Sequence, residues 1–590
     1  MFNTKDDLLL NQEKIFIGFS NSVHDPAIAI INHEGELLFA EGLERRLKNK
    51  RAWNASVDSI GVIEPLLKKY AHNKQVVAAT SWSANSLRMA PVVSKLLKVQ
   101  KQYIKLFSSD KERLGRMYEN QLFQQSMYRV PSNMNNLLLN LEYRLAEFGN
   151  PAPIKLSYNH HLCHAATACH TSNFDDAMCL VFDGLGESGS MAAYHYKNKT
   201  IQPLKKSGKL NFASIGLFYQ AACKACMFDP LSGEEWKLMG MASYGKFSQE
   251  YYNLLRPMLY VKGGILYRSR DYYKRLSSLL LLSEGFTASM DGKDLAFTVQ
   301  YITEELTGEL LHQLYDEYGT DQLILTGGCA LNSSSNGKIL TNTPFKALHI
   351  PMSPGDDGNA IGAAALAWQT YNSSGNLRIN GTPYLGSEIK ESDIKRFTQF
   401  SNINSYTCSN QEELTDKVSE ALIAGNIIGW IQGKAEFGPR ALGNRSILAD
   451  CRNKSIKQIL NDRVKFREEF RPFAPIILHE KGEAYFNNYS YTPYMEKTLV
   501  FSNLEDTPGV VHEDNTGRVQ SVTEKNNPLF YNLLKDYYKK TQVPILLNTS
   551  FNVMGRPIVH DMEDAFGVFM GSGLDILVVG NTIFNKNDVA

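Results

Sequence analysis

One short pattern occurs twice in this chain, and the repetition constrains the fold more than any other feature. Over Lys14–Glu41, the β-rich run KIFIGFS precedes the polar loop NSVHDP and then AIAIINHEGELLFAEG, a hairpin with Gly35 in its turn. Over Ala177–Lys206, AMCLVFDGLGESG, SMAAYHY and IQPLKK repeat the order of strand, polar loop and hairpin. Two copies of one unit predict an internally duplicated α/β fold.

Two later segments each combine a polar or glycine-rich loop with a following helix. DQLILTGGCALNSSSNGKI (321–339) reads as a strand, a glycine-rich turn and a helix, and SPGDDGNAIGAAALAW (353–368) reads as a loop that opens a small-residue helix. Both patterns direct backbone N–H groups and a helix N-terminus at one point, which favours an anion site. Between the two repeats, Pro91–Phe148 has helical spacing and is interpreted as a helical insertion.

A weakly hydrophobic loop, Asn372–Gly386, marks the predicted domain boundary. It divides the chain into residues 1–375 and 376–590. The second part begins afresh with the helix QEELTDKVSEALIAG and the strand NIIGWIQG, so we expect a separate α/β domain there.

Charge and cysteine content limit the classes of partner. The 62 Lys and Arg residues against 61 Asp and Glu residues argue against a nucleic-acid-binding surface, which needs many clustered cations. Eight cysteines are too few for a disulfide scaffold, and the single C-x-x-C (Cys223, Cys226) has no second pair, so a reducing cytoplasm is expected. MFNTKDDLLLNQEK has no signal-peptide character, and no apolar run is long enough to span a bilayer, so no membrane partner is expected.

The segment NHHLCHAATACH holds four of the thirteen histidines. His160 and His164 are four residues apart, which on a helix places both rings on one face, as a divalent metal requires. Packing within a helix explains such a pair equally simply. Two acidic loops favour the metal hypothesis, because FDGLGE offers Asp183 after a strand and GDDGNA offers Asp356 at a helix start, a donor set suited to Fe, Mn or Zn.

His24 and Asp25 lie in the first polar loop, where a histidine can act as a general base or hydrogen-bond a phosphate; a turn-stabilising pair is the structural alternative. GEEWKLMGMASYG places Lys237 among glycines and methionines. A lysine there needs an anionic partner or a route to solvent, and we interpret it as a nucleotide contact.

The second half carries the sharpest charge feature. Lys434–Arg471 holds ten Lys or Arg against five Asp or Glu, a local excess of +5 in a chain of +1. Turns and prolines surround Arg440, Arg445 and Arg471 (GPRALGNR, RPFAP), which suits a pocket for a compact anion such as phosphate better than loose surface charge. Further on, the chain offers Arg518, Asn548 and Arg556.

Taken in order, these motifs resemble one family. HDP, HHxxHA, FDGxGE, KLMGMASYG, TGGCALN, GDDGNAIGAA, EFGPRALGNRSILA, FRPFAP and LNTSFNxxGRPIV are similar to the carbamoyltransferases of the NodU/CmcH type, which include nodulation-factor, cephalosporin and tobramycin O-carbamoyltransferases. The resemblance covers nearly the whole chain. Cys329 departs from it, since valine is commoner there.

The resemblance implies an actin-like duplicated N-terminal domain, similar to the tRNA threonylcarbamoyl transferases, and a YrdC-like C-terminal domain. The latter releases carbamate from carbamoyl phosphate, and the former joins carbamate to ATP as carbamoyl adenylate, which an acceptor hydroxyl attacks at the carbamoyl carbon. The implied metal ligands are His160, His164, Asp183 and Asp356. Asp356 is chosen over Asp357 because Gly362 follows at the family spacing, and Asp357 is left open as the alternative. The predicted nucleotide contacts are Gly184, Lys237, Gly327, Gly328 and Asn332. The predicted carbamoyl-phosphate contacts are Arg440, Arg445, Lys465, Arg471, Arg518, Asn548 and Arg556.

Several assignments stay open at this stage. Fe²⁺ is the favoured metal, with Mn²⁺ or Zn²⁺ as alternatives and Mg²⁺ accompanying ATP. The expected partner is a small-molecule hydroxyl acceptor of unknown identity, and a homodimer is left open. The alternative functions are tRNA threonylcarbamoyl-type modification, which does not explain the arginine-rich second half, and a non-catalytic ATP-binding protein of actin-like fold.

Overall fold

The computed structural model describes residues 13–586 apart from 22, 188, 209–210, 374, 402 and 469. The N-terminal stretch for which no signal peptide is expected lies largely outside these residues. Within the described part, the strands that form the first unit are β1 Lys14–Ser20, β2 Ala27–Ile31, β3 Leu37–Gly42, β4 Gln75–Thr80, β5 Ile154–Ser157, β6 Asp176–Gly186, β7 Gly189–Lys197, β8 Thr200–Lys206, β9 Leu259–Lys262, β10 Ile265–Arg268, β11 Gln322–Thr326 and β12 Ala347–His349.

Helices alternate with these strands and cover their faces. They are α1 Ile60–Tyr70, α2 Ala84–Phe107, α3 Asp110–Asn136, α4 Leu139–Glu147, α5 His160–Thr171, α6 Ile215–Ala225, α7 Glu235–Ala242, α8 Gln249–Leu255, α9 Tyr272–Leu281, α10 Lys293–Tyr318, α11 Ser333–Asn342 and α12 Asn359–Tyr371.

The duplication expected from the sequence is present in the sheet topology. One five-stranded sheet has the order β3-β2-β1-β4-β5, and the other, read in the same sense, has the order β8-β7-β6-β11-β12. In both, the first strand pairs antiparallel with the hairpin and parallel with the fourth strand. This is the duplicated architecture of the actin-like ATPases. It confirms the predicted fold of the first unit.

The two repeats meet along their equivalent helices, α5 after the fifth strand and α12 after its counterpart. A Cβ atom at Gly362 of α12 would lie 2.0 Å from the Cys163 carbonyl oxygen of α5, and one at Gly18 of β1 would lie 1.9 Å from the Ala360 carbonyl oxygen. Only glycine allows backbones to approach this closely. The N-termini of α5 and α12 are therefore held side by side in the cleft between the two sheets.

The region predicted as a helical insertion from Pro91 to Phe148 is occupied by α2, α3 and α4. Helix α2 begins seven residues before Pro91, because Ser83 caps it by accepting a hydrogen bond from the Ser86 backbone N–H. Helices α2 and α3 pack against each other, and α3 also packs against α9.

The second unit has an apolar core of its own, drawn from Ile394–Phe584. Its strands are β13 Tyr384–Glu388, β14 Tyr406–Thr407, β15 Ile428–Ile431, β16 Lys434–Glu436, β17 Arg445–Ala449, β18 Ala474–Leu478, β19 Lys497–Val500, β20 Thr516–Val522, β21 Ile545–Ser550, β22 Ile576–Val579 and β23 Thr582–Asn585. Nine of them form one sheet of order β14-β23-β22-β15-β17-β21-β18-β20-β19. The helices of this unit are α13 Glu391–Ser401, α14 Gln411–Ile423, α15 Ile456–Leu460, α16 Gly482–Tyr485, α17 Pro528–Thr541 and α18 Met562–Gly571.

Polar contacts join the two units. The Asn336 side chain of α11 donates to the Glu496 carbonyl oxygen (2.9 Å), and Thr498 donates to the Ser333 hydroxyl oxygen (3.0 Å). Helix α11 therefore lies against β19 of the second unit. None of the helices in the described ranges combines the length and apolarity needed to cross a bilayer.

Candidate functional site

Helix α5 presents His160 and His164 to the cleft. The Asn159 side chain caps the helix by accepting from the Leu162 N–H (3.1 Å), which fixes the start of α5 at His160. Both imidazoles are 1% exposed, and their ring centroids are 4.8 Å apart. The i, i+4 spacing read from the sequence thus places two ring nitrogens side by side in a buried position.

Two carboxylates complete the cluster. Asp183, near the end of β6, places Oδ2 3.2 Å from His160 Nε2 and 3.8 Å from His164 Nε2. Asp356, from the loop before α12, places Oδ1 3.6 Å and 3.5 Å from the same two nitrogens. All four ligand atoms lie within 4.8 Å of one another.

These distances fit a shared cation. Ligand atoms at about 2.1 Å from one ion are about 3.4 Å apart in a tetrahedron, close to the four histidine–carboxylate distances. His164 Nε2 is buried and has no hydrogen-bond partner among the described residues. Buried polar atoms normally have a hydrogen-bond partner. A buried ring nitrogen that has none and faces two carboxylates is typical of a metal ligand. The four residues fit a divalent metal.

Neighbouring groups orient the ligands. Asp183 Oδ1 accepts from the Gly184 N–H (2.8 Å) and the Gly328 N–H (3.2 Å), which leaves Oδ2 for the histidines. Asn359 Nδ2 lies 3.3 Å from His160 Nδ1, and Oδ1 of the same amide is buried with no partner among the described residues. Turning the amide over brings its oxygen to the ring, so that Nδ1–H donates to it and Nε2 keeps the lone pair that a metal needs.

Glu187 links α5 to α2, the first helix of the insertion. Its carboxylate accepts from the His160 N–H (3.2 Å) and the Asn159 side chain (3.1 Å) at the start of α5. It also accepts from the Ser83 N–H (2.7 Å), the Ser83 hydroxyl (2.7 Å) and the Ser86 hydroxyl (2.9 Å) at the start of α2. One carboxylate therefore caps both helices, a role that the FDGxGE motif did not reveal.

The charges of the two carboxylates and two imidazoles favour a proton or a metal ion shared between them. Burial lowers the pKa of His160, but the carboxylates of Asp356 and Asp183 outweigh burial and raise it to about 9. Burial opposes ionisation of Asp356, yet His160 and His164 hold its pKa well below the usual range. The site therefore keeps both negative charges and requires positive charge between them.

Three neighbours of the metal ligands, Asp357, His161 and His170, lie outside the cluster. Asp357 Oδ1 accepts from the Gly358 N–H (3.1 Å) instead, and burial together with Asp25 raises the pKa of Asp357 to about 7. Burial lowers the pKa of His161 to about 3 and that of His170 to about 4, so both are neutral packing residues near pH 7.

His24 and Asp25 approach the cluster from the loop after β1, the counterpart of the end of β6, where Asp183 lies inside the strand and not after it as predicted. His24 Nδ1 lies 2.7 Å from Asp25 Oδ2, and the charge of His24 helps to lower the pKa of Asp356. Arg51, which sequence reasoning missed, places NH2 3.4 Å from Asp25 Oδ2. Asp25 and Arg51 both have positive φ (54° and 60°), and such strain in non-glycine residues is typical of functional loops.

The predicted nucleotide residues divide into two groups. Gly184, Gly327 and Gly328 border Asp183, and Gly327 has φ +93° with no room for a Cβ, because one would lie 2.4 Å from the Phe182 carbonyl oxygen. Asn332 instead caps α11 and bonds with Gln300. Lys237 Nζ pairs with Glu234 (2.5 Å) and with Glu468 of the second unit (3.2 Å), so in this structure its partners are carboxylates.

The second unit contains a cluster of positively charged side chains. Its members are Arg440, Lys465, Arg471, Arg518 and also Arg467, which the sequence analysis did not single out. Burial, together with Arg471 and Arg518, lowers the pKa of Arg467 to about 9, and burial with Arg518 lowers that of Arg440. Burial, Arg467, Lys50 and Arg471 likewise depress the pKa of Lys465. Arg471 pairs with Glu468 (2.7 Å) and Lys465 donates to Asn552 Oδ1 (2.9 Å), so part of this positive charge already has a partner within the fold. The mutual repulsion of the buried cations still favours a bound anion beside Arg440 and Arg518.

Arg445 makes contacts that differ from those of the other predicted phosphate residues. Its side chain is 0% exposed and donates to the carbonyl oxygens of Gln432 (2.8 Å), Asn444 (2.8 Å), Gly433 (3.1 Å) and Ser387 (3.2 Å). Because four backbone carbonyls accept from its two terminal nitrogens, Arg445 holds loops together, and Nε is left without a partner among the described residues. Its contact with carbamoyl phosphate stays a prediction.

Asn548 and Arg556 also differ from each other. Asn548 is buried, donates to Gln520 Oε1 (2.7 Å) and leaves Oδ1 without a partner among the described residues. Arg556 is exposed in the loop after β21, and no described contact joins its side chain to the cations. Asn548 therefore keeps a free polar atom, whereas Arg556 stays a prediction.

A cavity of about 110 Å³ lies between the two units. Its walls include Gln300, Ser333 and Lys338 of the first unit and His512 and Arg518 of the second. Arg440 reaches the same border, where its NH2 group lies 3.5 Å from the Leu331 carbonyl oxygen. The cationic cluster thus adjoins the first unit close to the Gly328–Leu331 turn.

Comparison with known proteins identifies the family. The profile for the carbamoyltransferase N-terminus matches residues 15–365, and that for the carbamoyltransferase C-terminus matches residues 419–586. The nodulation protein NolNO of Sinorhizobium fredii is 32% identical over 495 residues, covering 80% of this chain and 70% of that protein. The 3'-hydroxymethylcephem-O-carbamoyltransferase of Amycolatopsis lactamdurans is 31% identical over 270 residues, covering 45% and 49%.

Solved structures are more distant. The full-length HypF structure in its phosphate- and nucleotide-bound form is 14% identical with a TM-score of 0.30, covering 45% of this chain and 51% of that one. The relatives at 30% identity or more, together with two profiles that span both units, carry the assignment. This chain belongs to the carbamoyltransferase family and is an enzyme of carbamoyl transfer.

Proposed function

We propose that this carbamoyltransferase moves the carbamoyl group of carbamoyl phosphate, through carbamoyl adenylate, to a hydroxyl group of a small molecule in an ATP-dependent reaction. The observation that carries the proposal is the pairing of a buried His₂Asp₂ cluster in the cleft of the first unit with a buried cationic cluster in the second. The first suits nucleotide phosphates and the second suits a compact phosphate ester.

The first step uses the second unit. Arg440 and Arg518 hold carbamoyl phosphate, while Lys465 and Arg471, which also bond to Asn552 and Glu468, add positive charge beside it. Asn548 Oδ1, which has no partner among the described residues, accepts from the amide of carbamoyl phosphate. Water replaces phosphate at the anhydride, which gives carbamate and inorganic phosphate. Charge-assisted contacts in a desolvated pocket suit this role because they strengthen as water is excluded.

The second step uses the cleft of the first unit. Carbamate oxygen attacks the α-phosphorus of ATP, and pyrophosphate leaves with the electron pair of the broken bond. The backbone N–H groups near Gly327 and Gly328 and the N-termini of α5 and α12 bind phosphate oxygens. A divalent metal on His160, His164, Asp183 and Asp356 supplies charge neutralisation when bound; the mixed imidazole and carboxylate donors favour Fe²⁺.

The third step is attack of the acceptor hydroxyl on the carbamoyl carbon, which releases AMP. His24 is suited to take the hydroxyl proton, because Asp25 fixes one of its ring nitrogens at 2.7 Å and the other has no hydrogen-bond partner among the described residues. Carbamate is unstable in water, so a short route between the units protects it. The cavity beside Arg518 supports such a route.

Incubation with ATP, carbamoyl phosphate and a panel of hydroxylated acceptors tests this proposal. The expected products are pyrophosphate, AMP and an acceptor heavier by one carbamoyl group, each detected by mass spectrometry. A carbamoylated acceptor formed without ATP would contradict the adenylate route. Modification of tRNA in place of every small acceptor would instead support the tRNA alternative.

A further inference from the structure

Helix α2 carries an unpartnered apolar stripe. Between Ala84 and Phe107, seven large apolar side chains are 49–73% exposed. The residues of this stripe are Met89, Val92, Leu96, Val99, Tyr103, Leu106 and Phe107.

The stripe follows one side of the helix. From Met89 to Leu106 its members are spaced alternately three and four residues apart, which keeps them on one face over most of a helix about 36 Å long. The buried residues of α2, Ala90, Ser94 and Ile104, lie on another face, and α2 packs against α3. The stripe is therefore not the face that α2 uses to join its own fold.

The same helix is strongly basic. Its 24 residues contain five cations and no carboxylate, a charge of +5 in a chain of +1. The cations are Arg88, Lys95, Lys98, Lys101 and Lys105. Among the described residues, none of them forms an ion pair, so their charge is free to meet an external anion.

The positive charge of α2 indicates which kind of partner its exposed face can bind. Pairing with α2 of a second copy would bring two +5 helices together with no carboxylate on either. The stripe also offers large side chains and is flanked by lysines that can bury their stems while their heads reach anionic groups. This combination matches an interfacial helix, which lies in the headgroup layer of a bilayer and does not cross it.

We propose that the exposed face of α2 docks this enzyme on an anionic lipid surface. This peripheral mode goes beyond the proposed reaction. It departs from the expectation of no membrane partner, which rested on the lack of signal-peptide character and of an apolar run long enough to span a bilayer. It has a consequence for the site: α2 begins at Ser83, whose N–H and hydroxyl bind the Glu187 carboxylate that also caps α5. The docked helix is therefore linked through Glu187 to the start of α5, which carries His160.

Vesicle co-sedimentation of the full chain tests the proposal, with vesicles of phosphatidylcholine alone or mixed in equal parts with phosphatidylglycerol. The chain should sediment with the mixed vesicles and little with the neutral ones. The double variant Leu96→Ser/Val99→Ser should bind at least roughly tenfold less, and Lys95→Glu/Lys98→Glu should lose the preference for anionic lipid. High salt should weaken binding of the parent chain.

The matched control is Phe400→Ser/Met570→Ser, which removes two exposed apolar side chains (78% and 45%) from the second unit. Circular dichroism verifies that each variant is folded, and the control should bind as the parent does. Equal loss in the control, or no sedimentation with either vesicle, overturns the proposal. So does retention on immobilised polyglutamate without vesicle binding, which would assign the face to an acidic protein. A dimer that the stripe variant converts to monomer, again without vesicle binding, would assign the face to a second copy.

Discussion

Buried arginines serve two different purposes in the second unit. Both Arg445 and Arg518 have a buried Nε with no partner among the described residues, but Arg445 donates from its two terminal nitrogens to four carbonyl oxygens, whereas Arg518 lines the cavity between the units. The contacts of Arg445 stabilise the fold, whereas Arg518 is placed to bind an anion. Sequence alone did not separate them, because both stand in basic segments and burial is decided only by the folded chain.

A matched pair of substitutions distinguishes the two roles. Arg445→Met leaves several buried carbonyl groups unsatisfied and should lower stability by about 3–5 kcal/mol while carbamoyl phosphate still binds to the folded fraction. Arg518→Met should weaken carbamoyl phosphate binding with little change in the thermal midpoint. Calorimetric titration and thermal melting measure both effects, and the reverse pattern would contradict the assignment.

His170 should make stability depend on pH. Burial lowers its pKa to about 4, while the unfolded chain has an ordinary histidine pKa near 6.5. The unfolded state therefore binds the proton first, and stability falls as pH decreases from about 6.5 to 4, by at most roughly 3 kcal/mol from this residue. His170→Gln should flatten the decline of the thermal midpoint between pH 7 and 4.5, relative to the parent. An identical decline in both proteins would show that His170 is not buried in its neutral form.

At the scale of elements, the crossing of α5 and α12 determines the geometry of the cluster. Gly362→Ala would place a Cβ 2.0 Å from the Cys163 carbonyl oxygen and should separate the two helices, at a cost of about 1–3 kcal/mol and with weaker metal binding. Gly308→Ala in α10 is the control, since no atom lies within 4 Å of its Cβ position, and it should be neutral or stabilising by up to about 1 kcal/mol. Equal effects of the two variants on melting and metal content would refute the close-packing account.

The elements that could be predicted from sequence are those with a strong local pattern. The two strand–loop–hairpin repeats and the helix starts at His160 and Asn359 follow from alternation, capping and glycine placement. Strand β13, helix α13 and the capping role of Glu187 could not be predicted, because they depend on contacts between residues far apart in the chain, such as the pairing of β13 with β16. The likeness of the second unit to YrdC stays a prediction.

For the whole molecule, the central claim is that duplication creates the site. The equivalent helices α5 and α12 meet at the cleft, and the loop after β1 and the end of β6, its counterpart, bring His24–Asp25 and Asp183 to the same place. The motifs predicted this convergence only through the family resemblance, because spacing within one segment says nothing about distances between segments. Which of two adjacent aspartates completes the cluster is decided by the backbone before α12.

The metal content of two adjacent variants tests this claim most directly. Asp356 lies 3.5 Å from His164 Nε2, whereas Asp357 bonds to the Gly358 N–H. Elemental analysis of the purified protein should show about one transition metal ion per chain in the parent and in Asp357→Asn, and a large loss in Asp356→Asn. Equal metal content in the two variants, or loss in Asp357→Asn alone, would contradict the site described between the two repeats.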